Sequence, residues 1–333
     1  MTRYRNIEEA FIGELQEVIA NGDDIEVRNS KTREVRARLI ELDAVRERCV
    51  LLPGRHNNIF ASIAESMWVL CGRDDLEYLC AYLPRAKDFS DDGVTWRAAY
   101  GPRLRNWNGV DQLAEIINIL RSDPNSRRAV AALFDPDRDF VQSKDIPCNN
   151  WLHFLVRGGQ LDLHVVARST DIWWGFSGIN AFEWSLLLEL MSCWLELSPG
   201  RLTFFTSSLH LYERHAARAE AVLSDIPMNR EALYSSNRTE TAQFVTPWET
   251  SAEALGEWMN LEARMRAGID LDDLETDLTD PLLTAYAQMI DVFWNFKRGS
   301  AQETMNLKIE RLGDLDLRHA ATEFLERQHS DRH

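Results

Sequence analysis

The chain has 333 residues, of which 45% are hydrophobic and 27% are charged, and its formal net charge is −16. This composition is typical of a soluble globular protein, and the charge opposes attraction to nucleic acid polymers or anionic membranes. No apolar run has the length of a membrane span. Five scattered cysteines without a CxxC pair argue against a disulfide framework or a metal site. We therefore expect a cytoplasmic protein that binds a small anion such as a nucleotide, and no metal.

The first part of the chain alternates predicted helices with short strands, because apolar residues recur first at helical spacing and then in short runs. The second helix carries Glu65 on a largely apolar face, so burial there should raise the pKa of this carboxyl. The predicted elements are a helix over 7–19, strands over 36–42 and 49–52, and a helix over 58–70.

The middle of the chain contains the clearest β-hairpin, in which Gly158-Gly159 separates two alternating strands. Arg168 follows the second strand on its polar face. Alternation of helices and strands predicts a mixed α/β (α+β) protein built around one sheet. The other predicted elements are a helix over 109–121, a buried central strand over 129–134, hairpin strands over 151–156 and 161–167, a helix over 180–197, a strand over 202–208, and C-terminal helices over 252–267, 281–296 and 318–328.

Cys148 is the strongest candidate for a reactive residue. It lies in the segment Ile146-Pro147-Cys148-Asn149-Asn150, and the hairpin leads from it to Arg168-Ser169-Thr170-Asp171. A guanidinium group beside a thiol favours the thiolate, and an arginine fork also binds phosphate. Cys148 taken alone could equally be a buried structural cysteine.

Seven motifs, in order along the chain, resemble the landmarks of the thymidylate synthase family. The resemblance covers about residues 25–220, and it implies a three-layer fold with a mixed twisted sheet. Residues 1–333 would form a single domain, in which a divergent region from about 225 to 333 adds C-terminal helices. The motifs are Arg28 after an acidic turn, residues 64–70 around Glu65, Tyr100-Gly101, residues 123–128 ending in Arg127-Arg128, Pro147-Cys148, residues 168–171 with Gly175, and His210-Leu211-Tyr212.

The resemblance also implies a reaction. Cys148 would add as a thiolate to C6 of a pyrimidine nucleotide, whose C5 would then attack the methylene group of 5,10-methylenetetrahydrofolate, without a metal. Glu65 would organise proton transfer and water, as a raised pKa favours, and Tyr100 and Asp171 would complete the catalytic group. The implied binding residues are Arg28, Arg168 and Ser169 for the phosphate, joined by Arg127 and Arg128 from the other subunit of a homodimer with shared active sites, His210 and Tyr212 for the sugar, Asn180 and Asn149 for the base, and Asp171 and Gly175 for the folate.

Each of these residues has an ordinary structural interpretation as well. Arg127 and Arg128 taken alone would be expected on a solvated face, and Glu65 could be a buried carboxylate in an ion pair. Asp171 follows a strand, where an aspartate is just as often a helix cap. His210, Tyr212 and Tyr100 would otherwise be packing residues.

Some departures from the family pattern bear on which base the substrate nucleotide carries. Asn149 replaces the histidine that typically follows the cysteine, and Ser207-Ser208 replaces a Gly-Asp pair. The family's Pro-Phe-Asn segment becomes Ser177-Gly178-Ile179-Asn180, so either the asparagine has moved by one residue or Asn180 caps a helix. Cytosine reverses the donor and acceptor pattern of uracil. A change in the segment that recognises the base therefore indicates that the protein binds a different base. We therefore expect CMP, or dCMP, as the substrate.

Two further departures bear on the last step. Residues 83–89 replace a tryptophan-rich motif, and residues 327–333 lack an apolar tail; in the family both exclude water. Without them, water could add to the methylene intermediate and give a hydroxymethyl group. The preferred hypothesis is a folate-dependent cytidylate 5-hydroxymethylase like those of nucleoside-antibiotic biosynthesis. The alternatives are thymidylate synthase-type methylation of dUMP and an inactive nucleotide-binding regulatory homologue.

Overall fold

The structure is a computed structural model that describes residues 1–27, 29–52, 54–226, 234 and 239–330, with side chains to residue 326. Across these residues, none of the helices combines the length and the apolar character that a membrane crossing requires.

A mixed eight-stranded sheet forms the first layer. Its two longest strands, β3 and β8, are antiparallel over most of their length, whereas β6 runs parallel to β8. The order across the sheet is β1-β3-β8-β6-β5-β4, while β2 pairs with β3 and β7 pairs with β8. The strands are β1 (Thr2–Tyr4), β2 (Asp23–Val27), β3 (Ser30–Leu42), β4 (Val130–Ala132), β5 (Asn149–Arg157), β6 (Gln160–Ala167), β7 (Thr170–Asp171) and β8 (Ser198–Tyr212).

The helices form two further layers. α1 and α7 pack on the sheet, α2 packs on α7, and α9, α10 and α12 pack on the other side of α2. The mixed α/β three-layer prediction is thus confirmed. The helices are α1 (Ile7–Asn21), α2 (Ile59–Leu70), α3 (Leu76–Tyr82), α4 (Tyr100–Arg105), α5 (Gln112–Ser122), α6 (Pro136–Asp139), α7 (Ala181–Trp194), α8 (Glu213–Ser224), α9 (Trp248–Arg266), α10 (Pro281–Arg298), α11 (Gln302–Glu310) and α12 (Asp316–Ser330), with 3₁₀ turns over Pro84–Phe89 and Leu271–Asp273 and a π-helix over Ile172–Asn180.

Helix α2 is almost wholly enclosed. The side chain of Asn58 caps it by accepting a hydrogen bond from the backbone of Ala61, and Phe60 contacts Phe293 and Phe324 at ring-centroid distances of 5.4 and 5.1 Å. Every residue of the helix is buried except Glu65, which keeps partial exposure. Packing on both sides therefore fixes the direction of the Glu65 side chain.

Buried polar contacts join the C-terminal helices to the rest of the chain. Arg48 forms a buried ion pair with Glu189 of α7 and donates a hydrogen bond to the hydroxyl of Tyr286 on α10. Tyr82 donates to Glu262 of α9 at 2.6 Å. Breaking such buried pairs costs several kcal/mol, on the order of 3–5, so these contacts support the proposal that the chain forms one domain.

Two strand predictions were wrong. Residues 49–52 are buried but form no strand, because polar side chains satisfy their backbone instead: the N–H of Leu51 donates to the carboxylate of Glu8 at 2.7 Å. The apolar run 129–134 forms only the three-residue edge strand β4, in which Val130 is 45% exposed. An apolar run alone does not distinguish a central strand from an edge strand.

Candidate active site

The hairpin places Cys148 beside Arg168. Cys148 directly precedes β5, Arg168 directly follows β6, and the N–H of Arg168 donates to the carbonyl of Cys148 at 2.9 Å. The guanidinium group is held by the carbonyls of Pro147 and Ile146, at 3.0 and 2.8 Å. Its Nη2 then lies 3.6 Å from Sγ of Cys148. A fixed cation at this distance favours the thiolate form of the cysteine.

Ser169 extends this cluster. Its Oγ lies 4.0 Å from Sγ of Cys148 and 3.2 Å from Nη1 of Arg168. Arg168 is exposed and Ser169 is partly exposed, so both present donors to a ligand that enters from solvent. A guanidinium beside a hydroxyl is a suitable phosphate site.

Tyr100, which is partly buried, and the buried Asn149 form a hydrogen-bonded pair next to the thiol. The backbone N–H and the side-chain Nδ2 of Asn149 both donate to the Tyr100 hydroxyl, at 3.1 and 2.8 Å. Asn149 is 1% exposed. Burial, followed by the nearby Cys148, raises the pKa of Tyr100 well above its usual value, so its hydroxyl stays protonated. The role of Asn149 as a base reader stays a prediction, since its amide nitrogen donates to Tyr100.

Three carboxyl groups are linked electrostatically: Glu183 on α7 with Glu65 on α2, and Glu65 with Asp145, which lies three residues before Cys148. Burial, and then the Asp145 carboxylate, raises the pKa of Glu65 to about 8. Burial raises the pKa of Asp145 to about 6, although the Ala98 N–H donates to it and opposes this shift. Burial, and then Glu65, raises the pKa of Glu183 well above its usual value. At neutral pH, Glu65 therefore keeps its proton and can act as a general acid, as predicted for a carboxyl buried on this helix.

The π-helix over Ile172–Asn180 leads to the expected base-reading segment. A π turn holds one more residue than an α turn, so it can absorb the additional residue between Gly175 and Asn180. The carboxylate of Asp171 caps its start by accepting from the N–H groups of Trp173 and Trp174, at 3.0 and 3.3 Å. Asp171 thus has the capping geometry that was the alternative interpretation, and its catalytic and folate-binding roles stay predictions.

Asn180 lies at the junction of the π-helix and α7. Its side chain makes no capping hydrogen bond, so the helix-cap interpretation does not describe it. Nδ2 of Asn180 lies 3.4 Å from Oε2 of Glu183. Oδ1 would be 3.7 Å from a Cβ added at Gly175, which places this glycine beside the amide.

His210 and Tyr212 lie on one face of β8. Their rings meet edge to face with centroids 5.2 Å apart, and His210 pairs with Asp171 across the sheet. Nδ1 of His210 is 3.4 Å from Oγ of Ser208. Burial lowers the pKa of His210, so its ring is neutral near pH 7 and can both donate and accept.

The structure does not place every predicted residue in this site. Arg28 lies outside the described residues. Arg127 and Arg128 are exposed just before the edge strand β4, and their guanidinium groups form no ion pair with any residue that the structure describes. Their predicted role in the site of another subunit stays a prediction.

Sequence reasoning missed two of the three carboxyls, Asp145 and Glu183. Glu183 follows Asn180 by three residues, a spacing that places two helical side chains on one face. A glutamate inside the nearly wholly apolar helix α7 was the other available signal, because unpaired acidic residues are rarely buried. The described residues contain no group of His, Cys, Asp and Glu that could hold a metal ion.

Comparison with known proteins identifies the family to which the chain belongs. The family model described as thymidylate synthase matches residues 9–250. The chain belongs to the thymidylate synthase family. The match includes every candidate site residue and reaches the first turn of α9.

Several relatives of the chain are phage proteins. The chain is 40% identical over 210 residues to a deoxyuridylate hydroxymethyltransferase of Bacillus phage SP01, an alignment that covers 60% of this chain and 55% of the relative. It is 33% identical over 210 residues to a protein of the same description from Delftia phage PhiW-14, covering 60% and 58%. A thymidylate synthase of Mycoplasma genitalium is 32% identical over 139 residues, covering 42% and 46%. The chain spans about half the length of the curated relatives it matches.

Proposed function

We propose that this protein transfers a one-carbon unit from 5,10-methylenetetrahydrofolate to C5 of a pyrimidine nucleoside monophosphate, and that water completes the product as a 5-hydroxymethyl nucleotide. The observation that carries the proposal is the thiol of Cys148, which has the guanidinium of Arg168 at 3.6 Å; the carboxyl of Glu65, whose pKa is raised to about 8, supports it. A thiolate for addition to C6, donors for a phosphate and a general acid are the groups that such a reaction needs.

Cys148 and Arg168 carry the first step. The thiolate adds to C6 of the base and makes C5 nucleophilic. C5 then forms a bond to the folate methylene carbon as the bond between that carbon and N10 of the folate breaks. Arg168 and Ser169 hold the phosphate, which fixes the base against the thiol. Later, loss of the C5 proton and departure of tetrahydrofolate leave an exocyclic methylene group.

Glu65 is the proposed acid and base of the later steps. Its partial exposure and its raised pKa of about 8 suit a group that exchanges protons with water inside the site. Water adds to the exocyclic methylene carbon, the C6–thiolate bond breaks, and the product carries a CH2OH group. The folate leaves as tetrahydrofolate, without oxidation.

We propose dUMP as the nucleotide. The descriptions of the phage relatives name deoxyuridylate, and they give no support to the cytidylate substrate or to an antibiotic pathway. The π-helix offers a physical reason: if it absorbs the additional residue, Asn180 keeps a position from which its amide can pair with uracil. The changed segment then need not indicate a changed base.

The experiment is a product analysis. The protein is incubated with 5,10-methylenetetrahydrofolate and, separately, with dUMP, dCMP, UMP and CMP, and the nucleotides are analysed by mass spectrometry. A gain of CH2O on dUMP, without the absorbance of dihydrofolate, is the expected result. A methyl group with dihydrofolate would instead identify a synthase, reaction of CMP or dCMP alone would restore the cytidylate hypothesis, and no product from any nucleotide would favour a regulatory homologue.

We further propose a homodimer in which Arg127 and Arg128 of each subunit help to bind the phosphate in the active site of the partner subunit. Both are exposed beside β4, whose side chains Val130 and Ala132 line an open apolar cavity together with residues that include Arg168. The test mixes two inactive variants, Cys148→Ser and Arg127→Ala/Arg128→Ala, after separate purification and subunit exchange. One site of a mixed dimer then holds all native groups, so activity should return. No recovery in a dimer shown to be mixed would contradict the shared site.

A further inference from the structure

The carboxyl of Asp145 is held by two neighbouring segments of the chain. The N–H of Asp145 donates to Oγ of Ser143 at 3.0 Å, which fixes its backbone. Its side chain accepts the N–H of Ala98 at 3.0 Å. Asp145 keeps partial exposure and lies three residues before Cys148. The segment that leads to the thiol therefore carries a fixed carboxyl that water can reach.

Asp145 interacts electrostatically with groups on two sides of the site. Burial, and then the charge of Asp145, raises the pKa of Glu65. Arg168, whose Nη2 lies 3.6 Å from Sγ of Cys148, is among the groups that oppose the effect of burial on the pKa of Asp145. In the proposed intermediate the sulfur is bonded to C6, and the exocyclic methylene is attached to the neighbouring C5. The thiol thus holds the methylene carbon close to the segment that carries Asp145.

Asp145 differs in charge from the two other carboxyls of this group. Burial raises the pKa of Glu65 to about 8 and raises that of Glu183 well above its usual value, so both hold protons at neutral pH. Burial raises the pKa of Asp145 to about 6, and the Ala98 N–H and a hydrogen bond from the Trp96 side chain limit this rise. Asp145 is therefore mostly ionised at pH 7 and can accept a proton. Carboxyls whose pKa values are separated by their environments are suited to act as acid and base at one site.

The addition of water needs a base. When the water oxygen bonds to the exocyclic methylene carbon, the electron pair of the methylene–C5 double bond moves toward O4, and the water must lose a proton. We propose that Asp145 is the general base that takes this proton. As the C4–O4 double bond re-forms, the C5–C6 double bond returns and the thiolate of Cys148 leaves C6; Asp145 then releases its proton to solvent. This inference rests on the proposed function, because it assigns a base to the step that makes the CH2OH group, while Glu65 keeps the other proton transfers.

The position of Asp145 also fits the departures in the sequence. Residues 83–89 lack the tryptophans with which the family excludes water. The residues that follow them are bound to the segment of Asp145, since Nζ of Lys144 donates to the carbonyl of Ser90 at 2.9 Å in addition to the contact with Ala98. Asparagine could accept the N–H of Ala98 as well as aspartate does. A carboxylate is required only if the group must also accept a proton.

The test separates the last step from the earlier ones under single-turnover conditions, with enzyme in excess and methylenetetrahydrofolate present. Tritium release from C5 of labelled dUMP reports the steps up to loss of the C5 proton, and mass spectrometry reports the CH2OH product. We expect Asp145→Asn to release tritium within about threefold of the normal rate but to form the product at least about a hundredfold more slowly, the usual contribution of a general base. With 2-mercaptoethanol present, the variant should form a thioether instead, because a thiolate adds to the methylene without a base.

Two further measurements exclude a merely structural effect. Asp91→Asn is the matched control, because Asp91 accepts from Oγ of Ser143 at 2.6 Å and from the N–H of Lys144 at 3.0 Å in the same segment. This variant should form the CH2OH product at the normal rate. In the unchanged protein, product formation should fall tenfold per pH unit below about pH 6, because protonated Asp145 cannot act as a base. Asp145→Asn should lack this acid limb.

The outcomes distinguish this inference from the proposed function. If the unchanged protein makes the CH2OH product and Asp145→Asn makes it as fast, the role of Asp145 alone is wrong. Equal losses of tritium release and product in the variant also overturn that role, because the substitution then acts before water adds. If the unchanged protein yields a methyl group or no product from dUMP, the proposed function fails and the inference fails with it.

Discussion

The two halves of the candidate site are built in different ways. The thiol half, Cys148 with Arg168 and Ser169, lies at the ends of two adjacent hairpin strands and is fixed by hydrogen bonds to the backbone. The carboxyl half, Glu65 with Asp145 and Glu183, comes from two helices and a loop that meet only in the folded protein. The thiol half supplies fixed charge to an open surface, whereas the carboxyl half supplies protons from a buried one. This contrast predicts that substitutions in the first half change binding and nucleophilicity, and that substitutions in the second change pH dependence.

The largest expected effect is at Cys148. Serine has the shape of cysteine but a far less acidic hydroxyl, so Cys148→Ser should lower kcat by about ten thousandfold or more, as loss of a nucleophile does in other enzymes. Release of tritium from C5 of labelled dUMP measures the step directly. Because Arg168 and Ser169 remain, dUMP should still bind within about threefold of normal affinity, on the order of half a kcal/mol. Retained tritium release would remove Cys148 from the mechanism.

The second-largest expected effect is that of substituting Arg168. Lysine keeps the positive charge but loses the planar fork that both binds phosphate and bonds to the carbonyls of residues 146 and 147. We expect Arg168→Lys to weaken dUMP binding by about 10 to 100-fold, the value of one or two charge-assisted hydrogen bonds. Arg157→Lys, at the far end of the same hairpin, is the matched control and should bind normally. If both variants bind alike, the thiol half does not hold the phosphate.

Tyr100 lies between the two halves, and its substitution should affect stability. Tyr100→Phe leaves the N–H and the Nδ2 of buried Asn149 without their acceptor. The expected loss is about 1–3 kcal/mol in the free energy of unfolding, measured by urea denaturation. A cycle with Asn149→Leu should give a coupling energy of about 0.5–3 kcal/mol. Additive effects would show that the Tyr100–Asn149 pair is not a stabilising contact.

The sequence predicted the thiol half better than the carboxyl half for a physical reason. A Gly-Gly hairpin fixes which residues lie opposite each other, so the approach of Arg168 to Cys148 follows from local rules. The meeting of Glu65 with Glu183 depends on how α2 packs against α7, which no local pattern specifies. The π-helix before Asn180 was also beyond prediction, because apolar periodicity does not distinguish π from α turns. Most long helices were predicted to within a few residues, whereas the apolar run of β4 did not reveal that it lies at an edge.

The smallest expected effect concerns the pH at which Glu65 loses its proton. Its pKa of about 8 in the folded protein lies well above the usual value near 4.3 expected in the unfolded chain. If the neutral acid is the active form, kcat should fall tenfold per pH unit above about pH 8, and this limb should disappear in Glu65→Gln. An unchanged limb in the variant would assign the titration to another group.

The same shift has a consequence for stability, with a defined sign. Between about pH 4.3 and pH 8 the folded protein keeps a proton on Glu65 that the unfolded chain has released, so this carboxyl makes the protein less stable as pH rises through that window. Glu65→Gln removes the titration, and its free energy of unfolding relative to the unchanged protein should therefore increase from pH 5 to pH 8. We expect a gain on the order of 1 kcal/mol, since Glu65 keeps partial exposure and its solvation moderates the effect. Equal stability differences at both pH values would mean that Glu65 is charged in the folded protein, and the carboxyl half would then hold a fixed charge, like the thiol half.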